Sequence, residues 1–136
     1  MYDVQNSFTY VATTGVKEQT ITASAASTNV LNFGNAGNFF KPAYVHVRVT
    51  EAFESGTGGA TLTIDVQSDS TAAFGSAATF ESILAATDHA NLTKGTHIVK
   101  PLNLQSMEQF LRMYFTVSAA MTTGKIVAYI NDSPEL

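Results

Sequence analysis

Apolar and polar residues alternate along the segment from Phe110 to Ser118, and one face of this pattern is entirely apolar. That face carries Leu111, Met113, Phe115 and Val117. Successive side chains of a strand point to opposite faces, so a period of two predicts a strand with one face in a core. After the small residues 119–124 the alternation resumes at Ile126, Ala128 and Ile130. We therefore expect the two runs to form a β-hairpin.

A second pair of alternating runs lies in the middle of the chain. The first run, Tyr44 to Phe53, places Val45, Val47 and Val49 on one face. The second run, Thr61 to Ser68, places Leu62, Ile64 and Val66 on one face. The intervening segment ESGTGGA contains three glycines, which favour a chain reversal, so a second hairpin is expected here.

The remaining patterns are shorter and are also typical of strands. Candidate strands cover residues 19–24, 29–33, 80–84 and 96–104, and Pro101 in the last of these predicts an edge position or a bulge. Residues 69–78 are expected to form a loop, and residues 88–95 a connection that holds one helical turn. The sequence thus predicts an all-β antiparallel jelly roll or β-sandwich of about eight short strands. Residues 16–136 form this single domain, and residues 1–15 an N-terminal arm or edge strand.

Composition narrows the classes of function. Only 13% of the 136 residues are charged, against about 25% in typical domains, so the surface must be rich in small polar residues. The net charge of −4 gives no basic surface for nucleic acid, and there are no cysteines. The longest apolar run, Ile126 to Ile130, is far below the roughly 18 residues of a membrane span. The N-terminus lacks the pattern of a signal peptide. Neither a nucleic acid nor a membrane is expected as a partner.

Side chains capable of catalysis or metal binding show no familiar spacing. His46, His89 and His97 are best interpreted as ordinary surface or pocket histidines, with a metal site as a minor alternative. Glu51 and Glu54 are candidates for a small hydrolase, but carboxylates beside a glycine-rich turn are more often solvated. No catalytic residue, cofactor or metal is therefore predicted, and the chain is not expected to be an enzyme.

Aromatic residues outside the regular strand patterns are the candidates for partner binding. Aromatic side chains are enriched in interfaces, although they also cap the ends of sandwiches, and the two interpretations weigh about equally. The predicted partner-binding residues are Tyr2, Phe8, Tyr10, Phe39, Phe40 and Lys41. As an alternative, Phe39, Phe40 and Tyr44 are interpreted as an aromatic platform for sugar in a carbohydrate-binding or adhesin-like jelly roll of a virion.

Three segments together resemble the Bbp16-like capsid cement (decoration) proteins of bacteriophages. The first is YVHVRVTEAFESGTGGATLTIDVQSDS, from Tyr44 to Ser70, and the second is AAFGSAATF, from Ala72 to Phe80. The third is QFLRMYFTVSAAMTTGKIVAYI, from Gln109 to Ile130. The loop from Asn35 to Pro42 departs from the pattern, because relatives tend to carry an arginine between glycines where this chain has NFFKP.

The resemblance implies a structural protein of the virion, made in the host cytoplasm. Such a protein is expected on the outer surface of a capsid built from an HK97-type major capsid protein, its partner. There it would bridge neighbouring capsomers and stabilise the head without chemistry. The resemblance favours a homodimer near two-fold positions, with a homotrimer at three-fold positions as the other option.

Overall fold

Strands dominate the computed structural model, which describes residues 7–10, 15–32, 43–102 and 108–131. The nine strands are β1 (Gln19–Thr20), β2 (Ala25–Ala26), β3 (Leu31–Asn32), β4 (Ala43–Glu54), β5 (Thr61–Asp69), β6 (Ala78–Asp88), β7 (His97–Leu102), β8 (Phe110–Val117) and β9 (Thr123–Asn131). A 3₁₀ helix at His89–Asn91 supplies the helical turn expected between β6 and β7, and the Asp88 carboxylate accepts a hydrogen bond from the Ala90 N–H. In the described part of the chain no helix is long and apolar enough to cross a bilayer.

The strands form two antiparallel sheets. The first sheet has the order β1-β9-β4-β7, and the second has the order β2-β8-β5-β6, with β3 also paired to β8. β2 pairs with β8 at Phe115 and Tyr114, and β3 pairs with it at Leu111 and Phe110, so β2 and β3 are two pieces of one interrupted edge strand. Counting these two pieces as one strand gives eight strands among the described residues, in the order of a jelly roll. The predicted fold class is confirmed.

The two predicted hairpins are wrong, although their strands are present. β4 pairs with β7 and β9, whereas β5 pairs with β6 and β8, so the glycine-rich segment 55–60 carries the chain from one sheet to the other. β8 and β9 likewise lie in different sheets. Alternation determines which face of a strand is buried but leaves its neighbours undetermined. Among the described strands only β5 and β6 are consecutive in the chain and paired to each other.

The core lies between the two sheets and uses the apolar faces that the alternation predicts. Fully buried side chains on long strands are each worth roughly 1.5–3 kcal/mol relative to exposed ones. The buried set includes Val45, Val47 and Val49 of β4, Leu62, Ile64 and Val66 of β5, Leu111, Met113 and Phe115 of β8, and Ile126, Ala128 and Ile130 of β9. Pro101 lies on β7 at an edge of the first sheet, as its missing N–H requires.

Residues 7–10 of the predicted arm or edge strand pack along β9. Ser7 forms a bridge with Tyr129, and the Phe8 N–H donates to the Ala128 carbonyl at 2.9 Å. The Thr9 hydroxyl accepts from the Ala128 N–H at 3.1 Å. The Phe8 side chain is 0% exposed and belongs to the core. This segment therefore extends the β1 edge of the first sheet along β9.

Hydroxyl side chains complete the backbone ladder where regular strands end. The Ser27 hydroxyl accepts from the Met113 N–H at 3.0 Å and donates to the Asn29 carbonyl at 2.9 Å, between the two pieces of the interrupted edge strand. The Ser24 hydroxyl accepts from the Val117 N–H at 3.0 Å, and the Ser118 hydroxyl accepts from the Thr61 N–H at 2.8 Å. The abundance of serine and threonine thus stabilises strand ends without adding charge.

Gly124 near the start of β9 permits close packing against β4. Its φ of 147° is one that residues with a Cβ rarely adopt, and an added Cβ would overlap the ring of Phe53. Phe53 is a buried core residue near the end of β4. Only glycine leaves room for the ring at this position.

Candidate functional site

Two of the six residues predicted to bind a partner lie in the described part of the chain. Phe8 is fully buried, and Tyr10 is half-buried. The predicted Tyr2, Phe39, Phe40 and Lys41 lie outside the described residues, so their role as partner contacts remains a prediction. Phe8 contributes its ring to the core.

The remaining sequence candidates are separated from one another on the first sheet. Tyr44, proposed above as part of a sugar platform, is half-buried on β4. The Glu51 carboxylate lies 3.7 Å from the Lys125 ammonium in an exposed ion pair, and Glu54 is exposed at the end of β4. A solvated ion pair of this kind contributes little to stability.

A cluster of aromatic and cationic side chains lies on the outer face of the second sheet, and we call it the Arg112 surface. Its members are Gln67, Phe74, Arg112 and Tyr114. The Arg112 guanidinium carbon lies 4.4 Å from the centroid of the Phe74 ring and 5.5 Å from that of Tyr114. Its Nε donates to the Gln67 Oε1 at 2.7 Å, because Gln67 and Arg112 are cross-strand neighbours. The guanidinium is therefore held in one position by three side chains.

The loop after β5 fixes Phe74 in this surface. The Asp69 carboxylate, 5% exposed, accepts from the backbone N–H groups of Ser76 at 2.8 Å and Thr71 at 3.3 Å. The Ser76 N–H is the first cause that lowers the pKa of Asp69, against the opposing effect of burial. The folded loop holds Phe74 at a φ of 52°, which is unfavourable for a bulky residue. The position of the ring is thus determined by the whole loop.

The charge of Arg112 has no counter-ion in the described part of the chain. The ion pairs found there are His89 with Asp88, at 3.9 Å, and Lys125 with Glu51. Among the same residues, the hydrogen bond of Arg112 to Gln67 uses Nε and leaves both terminal nitrogens as donors. Such a guanidinium is suited to binding a carboxylate or another planar anion.

A row of rings crosses the outer face of the first sheet, and we call it the histidine row. Tyr129 of β9, His46 of β4 and His97 of β7 stack with centroid distances of 5.0 Å and 5.3 Å. His46 Nδ1 lies 3.0 Å from His97 Nε2, and His46 Nε2 lies 2.8 Å from Asn131 Oδ1. His46 is 0% exposed. The alternation places His46 on the outward face of β4, and of the two predicted alternatives, surface or pocket, its complete burial excludes the surface.

The hydrogen bonds of the histidine row restrict its protonation states. Asn131 Oδ1 only accepts, so His46 Nε2 carries a proton. In the neutral pair His97 Nε2–H then donates to His46 Nδ1, and one further proton can be held on His97 Nδ1 with this bond unchanged. Adding two protons would place two N–H groups against each other. The pKa of His97 is lowered by burial, by the nearby His46 and by the positive charge of Arg48.

The sequence carried weak signals for both surfaces. Arg112 and Tyr114 alternate with apolar residues on β8, but Phe74 lies in the loop after β5, and only the folded chain brings it to Arg112. His46 and His97 lie on separate strands whose pairing the alternation leaves open. Within the described residues, no group of three or more histidine, aspartate or glutamate side chains converges as a metal site.

Comparison with known proteins identifies a family, and one of the solved structures it finds is from a virus. The model of the Bbp16 family matches residues 16–130. The solved structure is described as that of infectious bursal disease virus, Gx strain, and its chain is 15% identical with a TM-score of 0.39. That match covers 85% of this chain but only 32% of the viral chain, so this chain spans about a third of its length. A search of curated proteins gives no match.

Proposed function

Because the chain belongs to the Bbp16 family, we propose that it is a structural component of a virion and, more specifically, a capsid cement protein. It binds the outer surface of a capsid of the HK97 type between capsomers and stabilises the head. The observation that carries the proposal is the family match, which extends from residue 16 to residue 130 and so takes in almost every strand of the jelly roll.

The architecture supports this function through its outward surfaces. The Arg112 surface and the histidine row lie on opposite faces of one sandwich. A rigid sandwich can contact more than one neighbour at once through different parts of its surface, and several weak contacts together resist release because losing one leaves the others bound. The low fraction of charged residues, 13%, is compatible with this role, since binding energy spread over several contacts does not require a highly charged chain.

Self-association as a homodimer is part of the proposal. β6 forms an edge of the second sheet and runs for 11 residues, and among the described strands it pairs only with β5. Long sheet edges are prone to pair with another strand, and a two-fold axis would let two copies satisfy each other's edges. Light scattering of the purified protein should give the mass of a dimer. A mass corresponding to one chain or to three chains would contradict the proposed homodimer.

The experiment that tests the cement function uses heads assembled without this protein. Purified protein added to such heads should sediment with them, and electron microscopy should place its density on the shell exterior between capsomers. The decorated heads should also withstand a higher temperature before they release their contents. Failure to sediment with heads, or density confined to the tail of complete virions, would refute the proposal.

A further inference from the structure

We infer that the Arg112 surface is the face that binds the capsid, and that Arg112 receives a carboxylate side chain of the major capsid protein. This inference rests on the cement function proposed above. It assigns the contact to one sheet face and to one type of chemical group.

The guanidinium is already ordered in the free chain. Its central carbon lies 4.4 Å from the Phe74 ring centroid and 5.5 Å from that of Tyr114, and the Gln67 amide oxygen accepts the Nε proton at 2.7 Å. Phe74 in turn is held by the loop closed on Asp69. Immobilising a long side chain on binding ordinarily costs about 0.5–1.5 kcal/mol, and here much of that cost is met on folding. A preorganised arginine beside aromatic rings has the composition of interface residues that dominate binding energy.

Charge complementarity indicates the partner group. Arg112 makes no ion pair within the described residues, and its terminal nitrogens are not used by Gln67. Two parallel N–H donors at the end of a fixed guanidinium match the two oxygens of a carboxylate. Aspartate and glutamate side chains are the carboxylates that a protein shell offers. The chain itself carries a net charge of −4, so recognition of an acidic partner must depend on a local cation.

Arg48 provides a matched control on the opposite side of the sandwich. It is exposed on β4 of the first sheet, next to His97 in the strand register. Replacing either arginine by glutamine removes one positive charge, so the two variants have the same net charge as each other. The two variants therefore differ in the face they alter, and any general effect of charge on association appears in both.

The test measures binding of the full chain to heads assembled from the major capsid protein alone. We expect Arg112→Gln to weaken apparent affinity at least tenfold, Arg112→Lys to weaken it by a smaller factor, and Arg48→Gln to stay within about twofold of wild type. Thermal unfolding of each variant checks that the sandwich is intact. Should Arg112→Gln fail to fold, Arg112→Lys still separates the outcomes, because lysine retains the charge but loses the planar fork.

A second measurement tests the carboxylate directly. Heads whose exposed carboxyl groups have been converted to amides with a carbodiimide and ethanolamine should lose most of their binding to the wild-type protein. Equal binding of wild type to treated and untreated heads would overturn the inference, as would unchanged affinity of a folded Arg112→Gln protein. In either case, if the wild-type protein binds untreated heads, the proposed cement function is still supported. Absence of that binding would overturn both.

Discussion

His46 Nδ1 lies 3.0 Å from His97 Nε2, so two imidazoles on neighbouring strands share one hydrogen bond across the first sheet. The bond joins β4 to the edge strand β7 at a level where the His46 side chain has no contact with solvent. The other ring nitrogen of His46, Nε2, is hydrogen-bonded to Asn131 of β9. One residue on the central strand therefore links both of its neighbours through side chains, in addition to the backbone ladder.

The histidine row should make stability depend on pH. Because the pKa of His97 is lower in the folded chain than its usual 6.5, the unfolded chain takes up a proton that the folded chain resists. The contribution of His97 to the free energy of unfolding is therefore fully present above about pH 6.5 and is lost as the pH falls below it. The groups that face His97 here are His46 and Arg48 of β4, with Tyr129 of β9 beyond His46.

Urea unfolding at pH 7.5 and pH 5.5 tests this dependence. We expect His97→Gln, whose amide can still donate to His46, to lose less stability between the two pH values than wild type. His89→Gln is the matched control, because His89 lies in the 3₁₀ helix next to Asp88 and outside the histidine row. An identical loss in wild type and His97→Gln would show that other groups account for the acid sensitivity.

Phe8→Ala should unfold the sandwich more easily. Removing a fully buried phenylalanine ring costs about 3–5 kcal/mol, from lost burial and the cavity that remains. Tyr10→Ala is the comparison within the same segment, and its half-buried ring should cost less. Chemical denaturation of the purified variants measures both effects. A stability of Phe8→Ala within 1 kcal/mol of wild type would mean that the core does not need this ring.

Gly124→Ala should destabilise the chain by about 1–3 kcal/mol, the usual range for overpacking in a core. The added methyl group would meet the buried Phe53 ring, and the φ of 147° is unfavourable for alanine. Gly56→Ala is the control, since no atom lies within 4 Å of the added Cβ and the turn is exposed. The difference between their thermal midpoints is the quantity to compare. Equal midpoints would contradict the close packing of β4 against β9.

Ser27→Ala should cost about 1–3 kcal/mol, the penalty for leaving a buried backbone donor without a partner. The donor is the Met113 N–H, which forms a buried hydrogen bond of 3.0 Å to the Ser27 hydroxyl oxygen. Ser24→Ala removes a similar bond, to the Val117 N–H, but at an exposed site where water can replace it. Hydrogen exchange should show faster exchange at Met113 in Ser27→Ala. A protected Met113 amide in that variant would argue against this bond.

The sequence predicted the strands and their inward faces well, because burial on one side imposes a period of two. Val45, Leu62 and Phe115 lie in the core as their patterns indicate. The same alternation does not predict which strands pair with each other. A short link between two alternating runs fits a hairpin, but in this chain such links join opposite sheets. Register and partner depend on the closure of the whole sandwich, which no local pattern encodes.

The candidate sites were harder to predict for a related reason. Arg112 acquires its setting from Phe74, a loop residue whose position depends on Asp69. His46 reads as an outward polar residue on β4, and its complete burial arises from the surrounding three-dimensional structure. Single residues with unremarkable spacing become a site only when distant strands are brought side by side. Aromatic residues outside the regular strand patterns do not by themselves distinguish core from interface, and Phe8 lies in the core.

The interruption between β2 and β3 limits how copies of this chain can associate through this edge of the second sheet. Over residues 27–30 the edge strand departs from a regular ladder, and a serine hydroxyl takes the place of a main-chain acceptor. An incoming strand would find two stretches of only two residues each, too short to nucleate a stable extension of the sheet. Copies of this chain are thereby kept from pairing strand to strand along this edge, and self-association is directed to other parts of the surface.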